Sequence, residues 1–343
     1  MEVLGLGVEL FALFVGFGFM VGVFFGFFGM GGSFLVTPAL LILGYPAPVA
    51  IGSSMAFVFG TAVIATMKHH DVGQVDYKLG ALMFVGIVLG IEAGKFAVFF
   101  LEALGRAELV VGVAYVLLLA AIGIVFTRNA LRQNDEDDDA ADDAAGDDEI
   151  PEIAQKIKSY NIPPMVTLTD GSKASMWTIS GVGGGVGVVS GFLGVGGGFI
   201  RMPAIYYLIG VPLAAAVGTS LFGALMSGAV GAFTYGLGGV VDLGVVTALL
   251  AGSALGARIG SASTAYVDEN DVTIYFGIML LLASTAVAFG ELATWLEMPI
   301  LDTVSFVLLV GSSVFVTVII LYYGARAIRT NDVRTPAATG GDD

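Results

Sequence analysis

Arg201 ends a run that is otherwise free of charge, Gly194-Val195-Gly196-Gly197-Gly198-Phe199-Ile200-Arg201. A guanidinium is planar and always charged. Its fork of N–H donors grips a sulfonate, sulfite or carboxylate through parallel hydrogen bonds. Inside an apolar segment such a charge is costly, and it reads either as a binding group or as an arginine snorkelling to the interface; the sequence leaves both open. Hydroxyls suited to an oxyanion follow in Thr219-Ser220 and occur earlier in Ser53-Ser54, although such residues also bond back to their own helix carbonyls. Glu92 and Arg258 are two more charges in apolar surroundings. They read as an ion pair, or as a substrate-holding Arg258 with Glu92 as a proton-coupling group.

Backbone chemistry adds to this set. Gly29-Met30-Gly31-Gly32-Ser33 and Gly194 to Gly198 each separate a long apolar segment from a short one. Glycine lets the chain leave helical geometry without a Cβ clash. A half helix that restarts after such a break presents free N–H groups and a positive dipole end to an anion. The candidate anion site from sequence is therefore Gly29, Gly31, Gly32, Ser33, Ser54, Gly194, Gly196, Gly197, Gly198, Arg201, Thr219, Ser220 and Arg258. The competing reading is that these glycines only permit a tight helical hairpin. Neither cluster carries the final lysine of a P-loop, and neither follows a soluble βαβ pattern, so nucleotide binding is not indicated.

The elements that must position these groups occur twice. Gly16, Gly18, Gly22, Gly26-Phe27, Gly29, Gly31-Gly32, Phe34 and Pro38 recur 165 residues later as Gly181, Gly183, Gly187, Gly191-Phe192, Gly194, Gly196-Gly197, Phe199 and Pro203. After one inserted residue, Ala50, Gly52 and Ser54 match Ala216, Gly218 and Ser220. Asp76 matches Asp242, and Gly86, Gly90 and Gly94 match Gly252, Gly256 and Gly260. Duplication of an apolar, glycine-punctuated block is the mark of a secondary transporter built from repeats. Arg201 corresponds to Val36, so the charge belongs to one copy only.

Composition fixes the surroundings. Hydrophobic residues make up 57% of 343, charged residues 13%, and mean hydropathy is +0.91. A chain with so little polar surface is an integral membrane protein. There is no cysteine, hence no disulfide and no thiolate metal site. No cofactor site is indicated. The apolar start of the chain lacks a basic region and reads as a retained first helix.

Apolar segments fall at 5–27, 33–43, 47–67, 77–101, 107–128, 174–193, 199–209, 213–237, 242–264, 272–292 and 303–327. Nine reach the roughly 20 residues a membrane span needs; the segments 33–43 and 199–209 are half-length. Placing the loop 68–77, the central loop and the C-terminus in the cytoplasm puts ten of the fourteen Lys/Arg residues inside. Helices 47–67 and 213–237 then cross in opposite directions. The expected architecture is an all-α polytopic membrane protein of two inverted-topology repeats with glycine-broken half helices, plus one extra C-terminal helix. Its parts are a first repeat over 1–128, an acidic cytoplasmic linker over 129–172, a second repeat over 173–292, the extra helix over 303–327 and a cytoplasmic tail over 328–343. The expected location is the cell membrane.

The net charge of −15 gathers in ten acids between Asp135 and Glu149, with Ala and Gly filler and no EF-hand spacing. That run reads as a solvated linker, not a metal site. His69 and His70, the only histidines, sit in the same loop region as Asp71. Their place outside the apolar bundle argues against an intramembrane protease, which needs a histidine beside its nucleophile or metal. The chain is not expected to be an enzyme.

The doubled Gly-Phe-x-Gly-x-Gly-Gly-x-Phe-x-x-x-Pro block, the Ala-x-Gly-[Ser/Thr]-Ser segments at 50–54 and 216–220, the Gly-x-Val-Asp turns and the Gly-x-x-x-Gly-x-x-x-Gly helices resemble the sulfite exporter TauE/SafE family, also called the toluenesulfonate uptake permease family. The resemblance implies a permease that moves small organosulfur or related anions such as sulfite, sulfoacetate, sulfonates or carboxylates. Ser33 stands where a third glycine is common, and the central acidic loop is unusually long. The expected partners are a small anion, the bilayer and a coupling ion, H+ or Na+, with no nucleic acid. The leading expectation is a secondary transporter working by alternating access; the alternative is a membrane binding or assembly subunit without transport of its own.

Overall fold

A computed structural model describes residues 2–28, 32–71, 75–136, 163–168, 173–211, 213–263 and 269–330. Gly29, Gly31, most of the acidic linker, the loop 72–74 and the end of the tail lie outside the described residues, as do the side chains of Ser33, His69 and His70. The described residues are almost wholly helical. Helix α1 (Val8–Phe28) is followed by a 3-10 turn (Gly32–Leu35) that runs into α2 (Val36–Ile42), then α3 (Ala47–Asp71), α4 (Tyr77–Ala103) and α5 (Ala107–Glu136). The second half repeats the order. Helix α6 (Met176–Leu193) precedes α7 (Gly198–Ala204), which continues as a π turn (Ile205–Ile209), then α8 (Leu213–Leu237), α9 (Leu243–Ser263) and α10 (Glu269–Leu296). Helix α11 (Pro299–Thr330) has no counterpart. Two short strand pairs, at Glu2–Val3 with Leu6–Gly7 and at Met165–Thr167 with Lys173–Ser175, are the sheet among the described residues.

Eight helices are long and apolar enough to cross a membrane, and α3, 25 residues long, contributes a shorter apolar stretch over Ala47–Val63. Large apolar side chains such as Leu89, Phe96, Leu117 and Phe315 lie exposed on the outside. Water would penalise that surface, whereas lipid tails accept it. This is a multi-pass membrane protein. Helix α5 runs past its apolar stretch to Glu136, so the first part of the acidic linker is helical.

The glycine rows decide which helices touch. A Cβ on Gly18, Gly22 or Gly26 of α1 would strike the backbone of Leu249, Ser253 or Ala257 in α9. From the other side, Gly252, Gly256 and Gly260 of α9 meet Val15, Phe19 and Val23 of α1. The same seam joins α4 and α6, where Gly86, Gly90 and Gly94 press on Ser180, Gly184 and Val188, and Gly183, Gly187 and Gly191 press on Met83, Ile87 and Ile91. In both seams the numbers rise together, so the paired helices run parallel. With no hydrophobic drive between helices in lipid, this backbone-to-backbone approach supplies the dispersion that holds them. The first long helix of each half is thus locked to the α4 or α9 helix of the other half.

The central contacts have the opposite sense. Gly228 and Gly231 of α8 lie against Phe59 and Met55 of α3, and Gly52 of α3 lies against Tyr235 of α8. One set of numbers falls as the other rises, so α3 and α8, which are sequence equivalents, run antiparallel. Helices α5 and α10 do the same, with Gly112 beside Glu291 and Gly123 beside Gly277. The Gly-x-Val-Asp turns cap the helices that follow: Asp76 Oδ1 accepts from Leu79 N at 2.9 Å, and Asp242 Oδ1 accepts from Gly244 N at 2.9 Å and Val245 N at 3.1 Å. The backbone N–H groups of these aspartates cross between halves. Asp76 N donates to Thr219 Oγ1 at 3.0 Å and Asp242 N to Ser53 Oγ at 2.9 Å, equivalent bonds at equivalent residues.

Candidate functional site

Helix α6 stops at Leu193 because Gly194, Gly196 and Gly197 take φ of +76°, +63° and +73°, a left-handed geometry that side chains disfavour. The chain then restarts at Gly198 as α7. The carbonyls left open at the end of α6 are held by tyrosines from two other helices. Tyr115 OH of α5 donates to Leu193 O, and Tyr235 OH of α8 donates to Gly191 O at 2.6 Å. Both tyrosines are fully buried. Open helix ends inside a bundle must find such partners, since no water is there to take them.

Arg201 sits one turn into α7 and is 0% exposed, the largest side chain buried to that degree among the described residues. That removes the snorkelling reading. Its Nη1 donates to Ser220 O at 3.1 Å and its Nη2 to Ser227 Oγ at 3.1 Å. Ser227 Oγ donates to Gly196 O at 2.7 Å, and Ser220 Oγ donates to Gly198 O at 2.8 Å. These bonds tie the glycine turn, α7 and α8 into one unit. No carboxylate pairs with Arg201 among the described residues, and its Nε has no partner. The side chain fits because Gly223 of α8 leaves room: a Cβ there would come within 2.6 Å of Arg201 Cδ and 2.7 Å of Nε.

Other predicted residues are distributed unevenly. Ser54 lies in the first half with Thr37, whose Oγ1 donates to Ser54 Oγ at 2.8 Å. Gly194 packs against Thr37. Thr219, like Ser53, is taken up by the cross-half bond to an aspartate N–H and is not turned to Arg201. Ser53, Thr219 and Ser220 therefore do not bond back to their own helices. Gly32 opens the 3-10 turn before α2. Between the two half-helix starts stand Phe34 and Phe199, equivalent residues that meet edge to face at 5.7 Å.

Glu92 and Arg258 do not meet. Glu92 lies 3.7 Å from Lys95 on the exposed side of α4, and Arg258 is exposed on α9. The reason is helical geometry. Each follows a seam glycine by two residues, about 200° around the helix, so it faces away from the seam. Arg258 accordingly stands apart from the Arg201 cluster. Ser190, Ser227, Gly223, Tyr115 and Thr37 belong to the buried polar set, yet sequence reading passes over them. The one usable signal was that small residues Gly223 and Ser227 lie four apart on the helix carrying Ser220.

A cavity of about 220 Å3 lies elsewhere, between α1, α2 and α11, lined by Phe14, Met20, Ala39, Phe306 and Val310 among others. It is apolar and offers nothing to an anion.

A profile of the family described as sulfite exporter TauE/SafE matches residues 14–287. The chain is 24% identical over 290 residues to the probable membrane transporter protein YunE of Bacillus subtilis, covering 79% of this chain and 95% of that one. It is 25% identical over 284 residues to a probable membrane transporter protein of Xylella fastidiosa, covering 82% and 95%. A shorter match, 23% over 195 residues, is to a probable membrane transporter protein of Methanocaldococcus jannaschii, covering 55% and 58%. No solved structure matches significantly.

Proposed function

The chain belongs to the sulfite exporter TauE/SafE family of membrane transporters, and on that premise we propose that it is a secondary permease for a small anion, of the sulfite, sulfonate or related carboxylate kind, in which Arg201 is the binding cation. One observation carries the proposal: a guanidinium wholly buried among apolar helices, held by neutral oxygens, with no acid opposite it among the described residues. An unpaired buried charge is among the most costly features a protein can hold, and an incoming anion removes that cost. The two engaged acceptors fix the fork's direction while three of its five N–H donors stay uncommitted to them, which is the preorganisation an anion site needs.

Alternating access between two oppositely directed halves is the mechanism that fits. The antiparallel packing of α3 on α8 and of α5 on α10 supports inverted topology, and the parallel glycine seams supply rigid units that move as wholes. With the central loop and C-terminus in the cytoplasm, the positive-inside rule is met. Flux measured in proteoliposomes containing only this chain tests the reading. Labelled sulfite or methanesulfonate should cross with the wild-type protein and not with Arg201→Gln. Equal flux by both removes Arg201 from the mechanism, and no flux by either points to a non-transporting membrane subunit.

A further inference from the structure

Ser190 lies one turn before the end of α6 and is fully buried, yet its hydroxyl has no partner. Among the described residues Thr66, Thr127 and Ser175 share that state, while most buried hydroxyls do not. Buried hydroxyls on other helices bond back one turn: Ser313 Oγ to Leu309 O at 2.8 Å, Thr317 Oγ1 to Ser313 O at 2.7 Å, Ser263 Oγ to Ile259 O at 3.0 Å. Ser190 makes no such bond to Val186, although bonding back is the ordinary refuge of a helical serine. Its own carbonyl is spent on closing the helix, accepting from Gly194 N at 2.7 Å.

The hydroxyl is aimed at the glycine turn. A Cβ on Gly197 would lie 2.6 Å from Ser190 Oγ and 3.2 Å from Arg201 Nη2. The free hydroxyl and the guanidinium therefore flank one glycine, from two different segments of chain. Arg201 Nε is the other unpartnered buried group of this cluster. Each unpaired buried donor carries a penalty that a ligand accepting from it would remove; Ser190 Oγ lies by Gly197, as does Arg201 Nη2, while Arg201 Nε lies by Gly223. In the first half the residue equivalent to Ser190 is Phe25, so hydroxyl and guanidinium are both confined to the second half.

We infer that Ser190 is a ligand of the transported anion, its hydroxyl donating to an anion oxygen outside the guanidinium fork, and that it separates anions with three oxygens on one atom from carboxylates. This rests on Arg201 as the binding cation. A carboxylate has two oxygens, and a fork of parallel N–H bonds takes both. A sulfite or sulfonate keeps a third, which needs a donor of its own. Ser190 stands where that donor is required.

The test uses the purified full-length protein and three probes, sulfite, methanesulfonate and acetate, with binding measured by calorimetry. For Ser190→Ala the expected result is about a tenfold loss for sulfite and methanesulfonate (~1.4 kcal/mol), with acetate unchanged. The melting temperature without anion should stay level or rise, since an unpartnered hydroxyl is being removed. Ser190→Cys, close in size but a weak donor, should fall between. Equal affinity of wild type and Ser190→Ala for all three probes overturns the inference, as does an equal loss for all three together with a lower ligand-free melting temperature. Arg201→Gln separates the two levels. If it binds sulfite as wild type does, or if wild type binds none of the probes, the Arg201 reading falls and Ser190's role with it.

Discussion

The two half-helix regions were built from one sequence block, and they now differ in kind. Around α2 the polar content is a neutral pair, Thr37 donating to Ser54 at 2.8 Å, with Val36 at the position of the arginine. Around α7 it is a buried cation with Ser220, Ser227 and Ser190 about it. Much of the packing is doubled, including both glycine seams and the crossed aspartate bonds, whereas the buried guanidinium occurs once. Symmetry is thus a property of packing here and asymmetry a property of chemistry. One buried cation is also what the electrostatics favour, since two guanidinium groups at equivalent places near Phe34 and Phe199 would repel each other in a low dielectric.

The comparison breaks most sharply by exchanging the two residues. Arg201→Val gives the second half the first half's residue and should cut anion flux by roughly 100-fold, the scale of losing charge-assisted bonds, while the protein still folds, since replacing a buried charge by an apolar group is often neutral or stabilising. The converse, Val36→Arg, should be the more damaging to folding. Val36 is fully buried, and an unsatisfied charge there is expected to cost about 3 kcal/mol or more. Flux and melting temperature of both variants check this. A folded, active Val36→Arg protein would show the halves to be chemically interchangeable.

Next in size are the seams. Gly18→Ala and Gly183→Ala each drive a methyl into partner backbone, which cannot rotate aside as a side chain can, and each should lose about 1–3 kcal/mol. Gly16 and Gly181, two residues earlier on the same helices, have nothing within 4 Å of a Cβ. Alanine there should stabilise by up to about 1 kcal/mol through helix propensity. Thermal unfolding of the four variants in detergent suffices, and a loss at Gly16 equal to that at Gly18 would refute the seam.

This contrast also explains which features of the fold are legible in the sequence. Helix positions were legible because hydropathy and length act locally, and the matching Gly-x-Val-Asp turns because they recur in both halves, although their capping role is visible only in the structure. The family was legible because its glycines are backbone requirements, which tolerate few alternatives. Ser190 and Ser227 were not, since a serine in an apolar helix looks the same whether it bonds to its own carbonyl or to a residue brought in from elsewhere. Glu92 and Arg258 were misread for a related reason. Equivalent positions in two repeats suggest a meeting, but their angle from the seam glycines turns both outward.

A smaller effect sharpens the comparison at the crossed bonds. Thr219→Ala strips the acceptor from Asp76 N, and Ser53→Ala strips it from Asp242 N. Each should cost about 1–2 kcal/mol, and the two costs should be close because the bonds are equivalent, with the more buried one at Asp76 the larger. A difference above about 1 kcal/mol, well outside ordinary context scatter for one hydrogen bond, would mean that one bond matters to the fold and the other does not.

The smallest expected effect concerns the charges that face outward. Glu92 and Lys95 lie 3.7 Å apart one turn along α4, with side chains 48% and 23% exposed, and Arg258 sits on another helix. Replacing Lys95 by Ala should change stability by no more than about 0.5 kcal/mol, as for other exposed pairs. A double-mutant cycle between Glu92→Gln and Arg258→Gln should be additive within about 0.5 kcal/mol, because the groups share no partner. Coupling well beyond that would bring them together in a conformation other than this one. The scaffold's symmetry would then reach its charges as well, and the separation of doubled packing from single-copy chemistry would have to be given up.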